Sequence, residues 1–263
     1  MSRIFTIMSG KGGVGKTTLS AALALYYARQ GMKCTLLDGD IGLRCADLTL
    51  NMQDQVIYDL GDLCAAQCTL EQALIRCPDA PCLSLLAAPQ LMKASEFKSR
   101  DIAAVVRRVA AGQDIVLLDA PAGVGRGLKN LLGAESSPVI VATPDDVSLR
   151  DAERLGMLLT ERGEPHPGII FNRVNRELVR RGKMMPPQAL ATAVDMPLLG
   201  IVPESPLIYQ ALLSHKNPLD CGDPQVVAAI GNIASRLLGA DIPLPEYRPS
   251  ALLRFFSKGG NRP

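Results

Sequence analysis

Seven short apolar runs recur along the chain, "RIFTIM", "KCTLLD", "CLSLLAAP", "DIVLLDAP", "SPVIVATP", "PGIIFNRV" and "PLLGIVPE", separated from one another by tens of residues. Runs this short that are apolar almost throughout, with no strict in-out alternation, read as strands buried on both faces, as in a parallel sheet. Longer helical patterns lie between them, such as "TTLSAALALYYARQ" after the first run and "PQVVAAIGNIASRLLGA" near the end. The alternation predicts an α/β fold, a mostly parallel sheet flanked by helices on both faces. Several runs end in Asp, Pro or Asn, as expected if ligand groups gather at the carboxyl ends of the strands.

The pattern breaks once. "DIPLPEYRP" places Pro243, Pro245 and Pro249 within nine residues, a density that favours an extended linker. The boundaries drawn are a domain over 1–241, a linker over 242–249 and a separate tail over 250–263. At 263 residues and 48% hydrophobic, the chain is long enough for one well-filled core. The net charge of +2 gives no overall field toward nucleic acid, so no specific nucleic-acid partner is expected. Seven cysteines without CxxC spacing and two isolated histidines argue for reduced thiols and against a zinc site. No segment approaches the ~18 apolar residues of a membrane span and no export signal is visible. A cytoplasmic body is expected.

Chemistry enters at "SGKGGVGKTT", Ser9 to Thr18. From Gly10 it fits G-x-x-x-x-G-K-[ST], between an apolar strand and a helical pattern, where that motif belongs. Glycines let backbone N–H groups curl around phosphate oxygens at the helix N-terminus. Lys16 is expected on the β and γ phosphates of a nucleotide and Thr17 on Mg²⁺.

A second lysine, Lys11, precedes the usual one, and with it "KGGVGKTT" resembles the deviant Walker A loop of the ParA/MinD class of P-loop ATPases. In that class the early lysine reaches across a dimer interface to the partner's nucleotide. The resemblance implies this role for Lys11, and an ATP site over Gly10, Lys11, Gly12, Gly13, Val14, Gly15, Lys16, Thr17 and Thr18. A cation delivered at the γ-phosphate stabilises the charge of phosphoryl transfer, as an arginine finger does.

After the second strand, "DGDIGLRCADL" puts Asp38 and Asp40 two apart, so that in an extended segment both face the same way. The stretch resembles the D-x-D-I-G-L-R switch of the MinD branch, which implies that Asp40 positions the attacking water and that Asp38 lies near Mg²⁺. "IVLLDAPAG" ends a strand with Asp119, expected to hold Mg²⁺ directly or through water, and Gly123, Gly125 and Gly127 would let the following loop shift. By the same resemblance Asn172 and Arg173 in "IIFNRVN", and Pro203 and Glu204 in "GIVPES", flank the adenine. One departure stands out. Where the MinD switch continues R-N-L-D-L, this chain has Cys45, a thiol in place of an amide and a poor hydrogen-bonder, which suggests altered hydrolysis.

If residues 250–258 are helical, Leu252, Leu253, Phe255 and Phe256 share an arc of about 160°, with Arg254 and Lys258 opposite. Residues 248–263 carry four basic side chains and no acidic one, the composition of an interfacial helix on anionic lipid. MinD proteins end in such a segment, about two turns long here, whose weak anchoring becomes avid when two copies pair. The resemblance thus implies a homodimer, the inner face of the cell membrane, a MinC-like septum inhibitor, and a MinE-like or MinJ/DivIVA-type topological regulator. The alternatives are a ParA/Soj or FlhG-type positioning ATPase and, from another class, a weakly hydrolysing ATP-bound membrane scaffold. An iron–sulfur carrier of the same class would want paired cysteines, a need that Cys64 and Cys68 on one expected helix do not meet.

Overall fold

The computed structural model describes residues 2–247. Strands β1 (Arg3–Met8), β2 (Cys34–Asp38), β3 (Ile75–Cys77), β4 (Ala80–Leu86), β5 (Ile115–Asp119), β6 (Ser137–Ala142), β7 (Gly168–Val174) and β8 (Leu198–Pro203) form one sheet in the order β3-β4-β2-β5-β1-β6-β7-β8. All seven apolar runs are strands, parallel to one another. The eighth, β3, is an antiparallel edge strand that pattern reading passed over. Three residues carry no readable period, and it follows directly on a helical turn capped by Thr69 and Gln72.

The helices are α1 (Lys16–Arg29), α2 (Ala46–Thr49), α3 (Leu60–Cys64), α4 (Leu70–Ala73), α5 (Ser99–Ala110), α6 (Arg126–Leu131), α7 (Asp146–Glu161), α8 (Arg176–Arg180), α9 (Pro187–Ala193), α10 (Pro206–Leu213) and α11 (Pro224–Leu237). They cover both faces of the sheet, and central strands feed two cores by simple alternation. In β5, Ile115 and Leu117 join α1 and α11 in one core, while Val116 and Leu118 join α5, α6 and α7 in the other. Helix α1 is buried almost all round, which its alanine-rich sequence permits by letting neighbours approach closely. Tyr27 ties it to α11 by donating to the Ala234 carbonyl at 2.9 Å. Central β1 pairs with β5 on one side and β6 on the other, so the loop after β1 opens at the crevice where the winding reverses.

Up to Tyr247, where the described residues end, the proline segment has no helix or strand, and it is docked. Arg236 of α11 donates to the carbonyls of Ile242 at 2.9 Å, Pro243 at 2.8 Å and Leu199 at 3.1 Å, and Gln188 of α9 donates to Pro245 O at 2.8 Å. Tyr247 packs half-buried against the second core. The segment is therefore a strap across β8 rather than a free spacer. The tail residues Leu252, Leu253, Arg254, Phe255, Phe256 and Lys258 lie outside the described residues. Among the described residues no helix is long and apolar enough to cross a membrane.

Candidate functional site

The glycine loop runs from the end of β1 into α1, and its shape follows from two close approaches. Gly15 stands at the helix start with φ +91°, where a Cβ would collide with the Asn172 amide. A Cβ on Gly10 would meet Asp151 at 2.5 Å. Only glycine fits either place.

Lys16, 6% exposed, turns inward and sits 2.9 Å from Oδ1 of Asp119 at the end of β5, itself fully buried. Thr17 Oγ1 donates to Oδ2 of the same carboxylate at 2.6 Å, and Ser20 Oγ donates to Oδ1 at 2.8 Å. Asp38 ends β2 in register with Asp119 on the adjacent strand. Its Oδ2 accepts the backbone N–H of Cys45 and of Ala46, each at 3.0 Å, and its Oδ1 that of Asp40 at 2.9 Å. Asp38 thereby folds the switch segment back on the strand end. Burial and then the Asp119 charge push its pKa up to about 7, against the pull of those N–H groups and Lys16. Asp40 is half-buried beside them, and burial also raises its pKa, offset by Lys16.

Two buried carboxylates thus face one ammonium. The charge lacking is positive, and Thr17, Asp119 and Asp38 offer only hard oxygen donors, which is the chemistry Mg²⁺ requires. The site fits that ion. The Asp38 oxygens already take three N–H groups and the Asp119 oxygens three side-chain donors, so each carboxylate suits contact with the ion directly or through water.

Lys11 takes the opposite course. Its ammonium points outward, 3.0 and 3.4 Å from the two oxygens of Asp145, with one-third of its side chain exposed. Asp145 is the N-cap of α7, accepting from the Ser148 N–H at 2.9 Å and from Thr143 Oγ1 at 2.5 Å. Burial would raise the Asp145 pKa, but Thr143, Ser148 and Lys11 outweigh it and hold it below the ordinary carboxylate value. Sequence reading missed this partner 134 positions away. The available signal was "PDDVSL", an Asp before a helix with Ser three residues on.

The four residues assigned to the base, Asn172, Arg173, Pro203 and Glu204, come together with Gly15 and Thr18 around a cavity of about 600 Å³ floored by Leu19, Ala22, Ile208 and Ile230. Asn172 also anchors the phosphate loop, its Nδ2 donating to Val14 O at 2.8 Å, which leaves one N–H of the amide for a ligand. Cys45 lies beside the switch carboxylates with its thiol against Leu43 O at 3.9 Å. The loop after Asp119 differs from expectation. Gly123 is left-handed and bonded to Ser9 O at 2.8 Å, but Gly127 lies inside α6, where a Cβ would meet Pro121 at 2.7 Å. That glycine serves helix packing rather than loop movement.

A glycine loop running into the start of α1, an inward lysine and a hydroxyl–carboxylate pair suited to a divalent ion define the class: a P-loop nucleoside triphosphatase. Comparison with known proteins narrows it. Residues 1–237 match the family described as ParA, NUBPL iron-transfer P-loop NTPase. Septum site-determining protein MinD of Synechocystis sp. is 33% identical over 94% of this chain and 93% of its own length, and that of Bacillus subtilis 35% identical over 93% and 92%. Among solved structures, the MinC:MinD cell division complex of Aquifex aeolicus superposes with a TM-score of 0.85 at 31% identity, covering 94% of this chain and all of that one. MinD of Pyrococcus horikoshii, complexed with Mg-ADP, superposes with a TM-score of 0.80 at 28% identity over 92% of this chain and all of its own. The chain belongs to the ParA family of P-loop ATPases, in its MinD branch, and is an ATPase. As to iron transfer, Cys64 ends α3 and Cys68 lies beyond it, not on one helix as expected. Among the described residues no group of three or more His, Cys, Asp or Glu is placed to hold a metal ion.

Proposed function

We propose that this chain is a nucleotide-switched positioning ATPase of cell division: ATP pairs two copies through Lys11, the pair grips anionic membrane by its two tails, and hydrolysis releases it. The observation that carries the reading is the outward Lys11, tied among the described residues by a part-exposed ion pair to Asp145. Such a pair is worth ~0.2–1 kcal/mol, so the ammonium leaves it at little cost for a phosphate carried by a second copy.

In a loaded site Lys16 exchanges Asp119 for the β and γ phosphates, while the loop N–H groups hold the phosphate oxygens. Thr17 and Asp119 would hold Mg²⁺, directly or through water, and the ion would screen the phosphate charge. Asp40, half-buried and near Lys16, orients the attacking water. Arg173 lines both the base cavity and the opening beside Lys11, so base and interface share an element. Because an Aquifex aeolicus relative was solved with MinC, a MinC-like inhibitor is the proposed partner, with a MinE-like or MinJ/DivIVA-type regulator. Light scattering across a size-exclusion column tests the pairing. A doubled mass with ATP but not ADP is expected; the same mass in both would overturn the proposal.

Cys45 favours a second reading, a scaffold that binds ATP and turns it over slowly, since its thiol reaches only Leu43 O. Under that reading Cys45→Asn raises turnover several-fold; unchanged turnover removes the reading.

A further inference from the structure

Asp119 is held by three donors, and they have different futures once nucleotide arrives. Lys16 has phosphates to go to, and the Thr17 oxygen has the metal. Ser20 has neither. It lies one turn farther along α1, fully buried, with its hydroxyl 2.8 Å from Asp119 Oδ1 and 3.1 Å from Lys16 O. A hydroxyl has a single proton, and the carboxylate is both the nearer and the charged acceptor, which makes the stronger bond. The back-bond to Lys16 O is then no more than a helical contact.

We propose that Ser20 is the positioning residue for Asp119: it keeps Oδ1 turned into α1 and Oδ2 turned toward Thr17 when Lys16 departs, so that the oxygen meeting Mg²⁺ is already in place. Without it the carboxylate loses its one permanent partner in a pocket shared with Asp38, and the Asp38 charge pushes it out of alignment. The inference rests on the P-loop site described above, and it concerns metal affinity, not nucleotide affinity as such.

The test is equilibrium binding of a fluorescent ADP analogue, titrated with and without Mg²⁺, to the full-length wild type and to Ser20→Ala, Ser20→Cys and Ser20→Thr. Cysteine keeps the volume but is a weak donor, and threonine keeps the hydroxyl. In Ser20→Ala and Ser20→Cys the Mg²⁺ concentration for half-maximal gain in affinity should rise about tenfold, with Mg²⁺-free binding within about twofold of wild type. Ser20→Thr should recover most of the loss. An unchanged Mg²⁺ requirement in both, or an equal loss with and without Mg²⁺, overturns the proposal and leaves Ser20 a packing residue. A wild type with no Mg²⁺-enhanced ADP binding would instead contradict the P-loop reading itself.

Discussion

Asp145 does two things at once, and Asp145→Asn separates them. It caps α7 through the Ser148 N–H, and it holds Lys11 at 3.0 Å. Asparagine caps as well as aspartate, so the helix end survives; the ion pair is lost, and the Thr143 hydroxyl, which donates to Asp145 Oδ2, must turn to accept from the amide instead. The paired side chains are 33% and 46% exposed, which limits the pair to ~0.2–1 kcal/mol, or a factor of about 1.4 to 5. A dimer frees two such lysines, so the ATP-dependent pairing constant of Asp145→Asn should rise about 2- to 30-fold. Asp145→Ala, which also removes the cap, should lower the thermal midpoint in addition, by a loss of ~1 kcal/mol. Sedimentation velocity over a range of protein concentrations with ATP, in an Asp40→Ala background to limit turnover, measures the constant. Pairing weaker in Asp145→Asn than in wild type would refute the idea that Asp145 competes for Lys11 and would make it part of the interface instead.

Asp40→Ala should abolish most phosphate release while leaving ADP-analogue binding within about threefold; unchanged turnover would remove Asp40 from the chemistry. Arg236→Ala deletes three bonds that fasten the strap and its strand, so chymotrypsin cleavage after Tyr247, located by mass spectrometry of the fragments, should quicken at least about fivefold. Because the chain has no tryptophan, Tyr247→Trp gives a single reporter whose emission should shift to the red in Arg236→Ala. Asp38, its pKa pushed up to about 7 from 3.8, holds its proton more tightly folded than unfolded. Its contribution is therefore greatest in acid and fades as pH rises toward 7. The Mg²⁺-free midpoint of wild type should fall relative to Asp38→Asn between about pH 5 and 7, and parallel curves would count against the shift.

Features set by neighbours in sequence were legible, and those set by distant ones were not. The phosphate loop declares itself because glycine, lysine and threonine must stand at fixed spacing, and the seven buried runs because burial on two faces admits only apolar side chains. The four residues expected at the base converged on one cavity because each stands at or just past the end of an identifiable strand. By contrast, the Ser20–Asp119 and Lys11–Asp145 contacts join residues 99 and 134 positions apart, and nothing local marks either as a partner. Proline spacing announced a break in the helix and strand pattern, but what the segment lies on depends on Arg236 and Gln188, whose own sequence surroundings read as ordinary helix. Gly127 was read as a loop hinge for want of knowing that Pro121 packs against it.

The proposal that joins ATP to location through Lys11 is tested most directly by flotation with anionic liposomes, comparing ATP with ADP in wild type, Lys11→Ala and a chain ending at residue 249. Wild type should float with ATP alone, and the other two should stay with the soluble fraction in either nucleotide while still binding the fluorescent ADP analogue. Flotation that persists in Lys11→Ala, or that needs neither ATP nor residues 250–263, would contradict it.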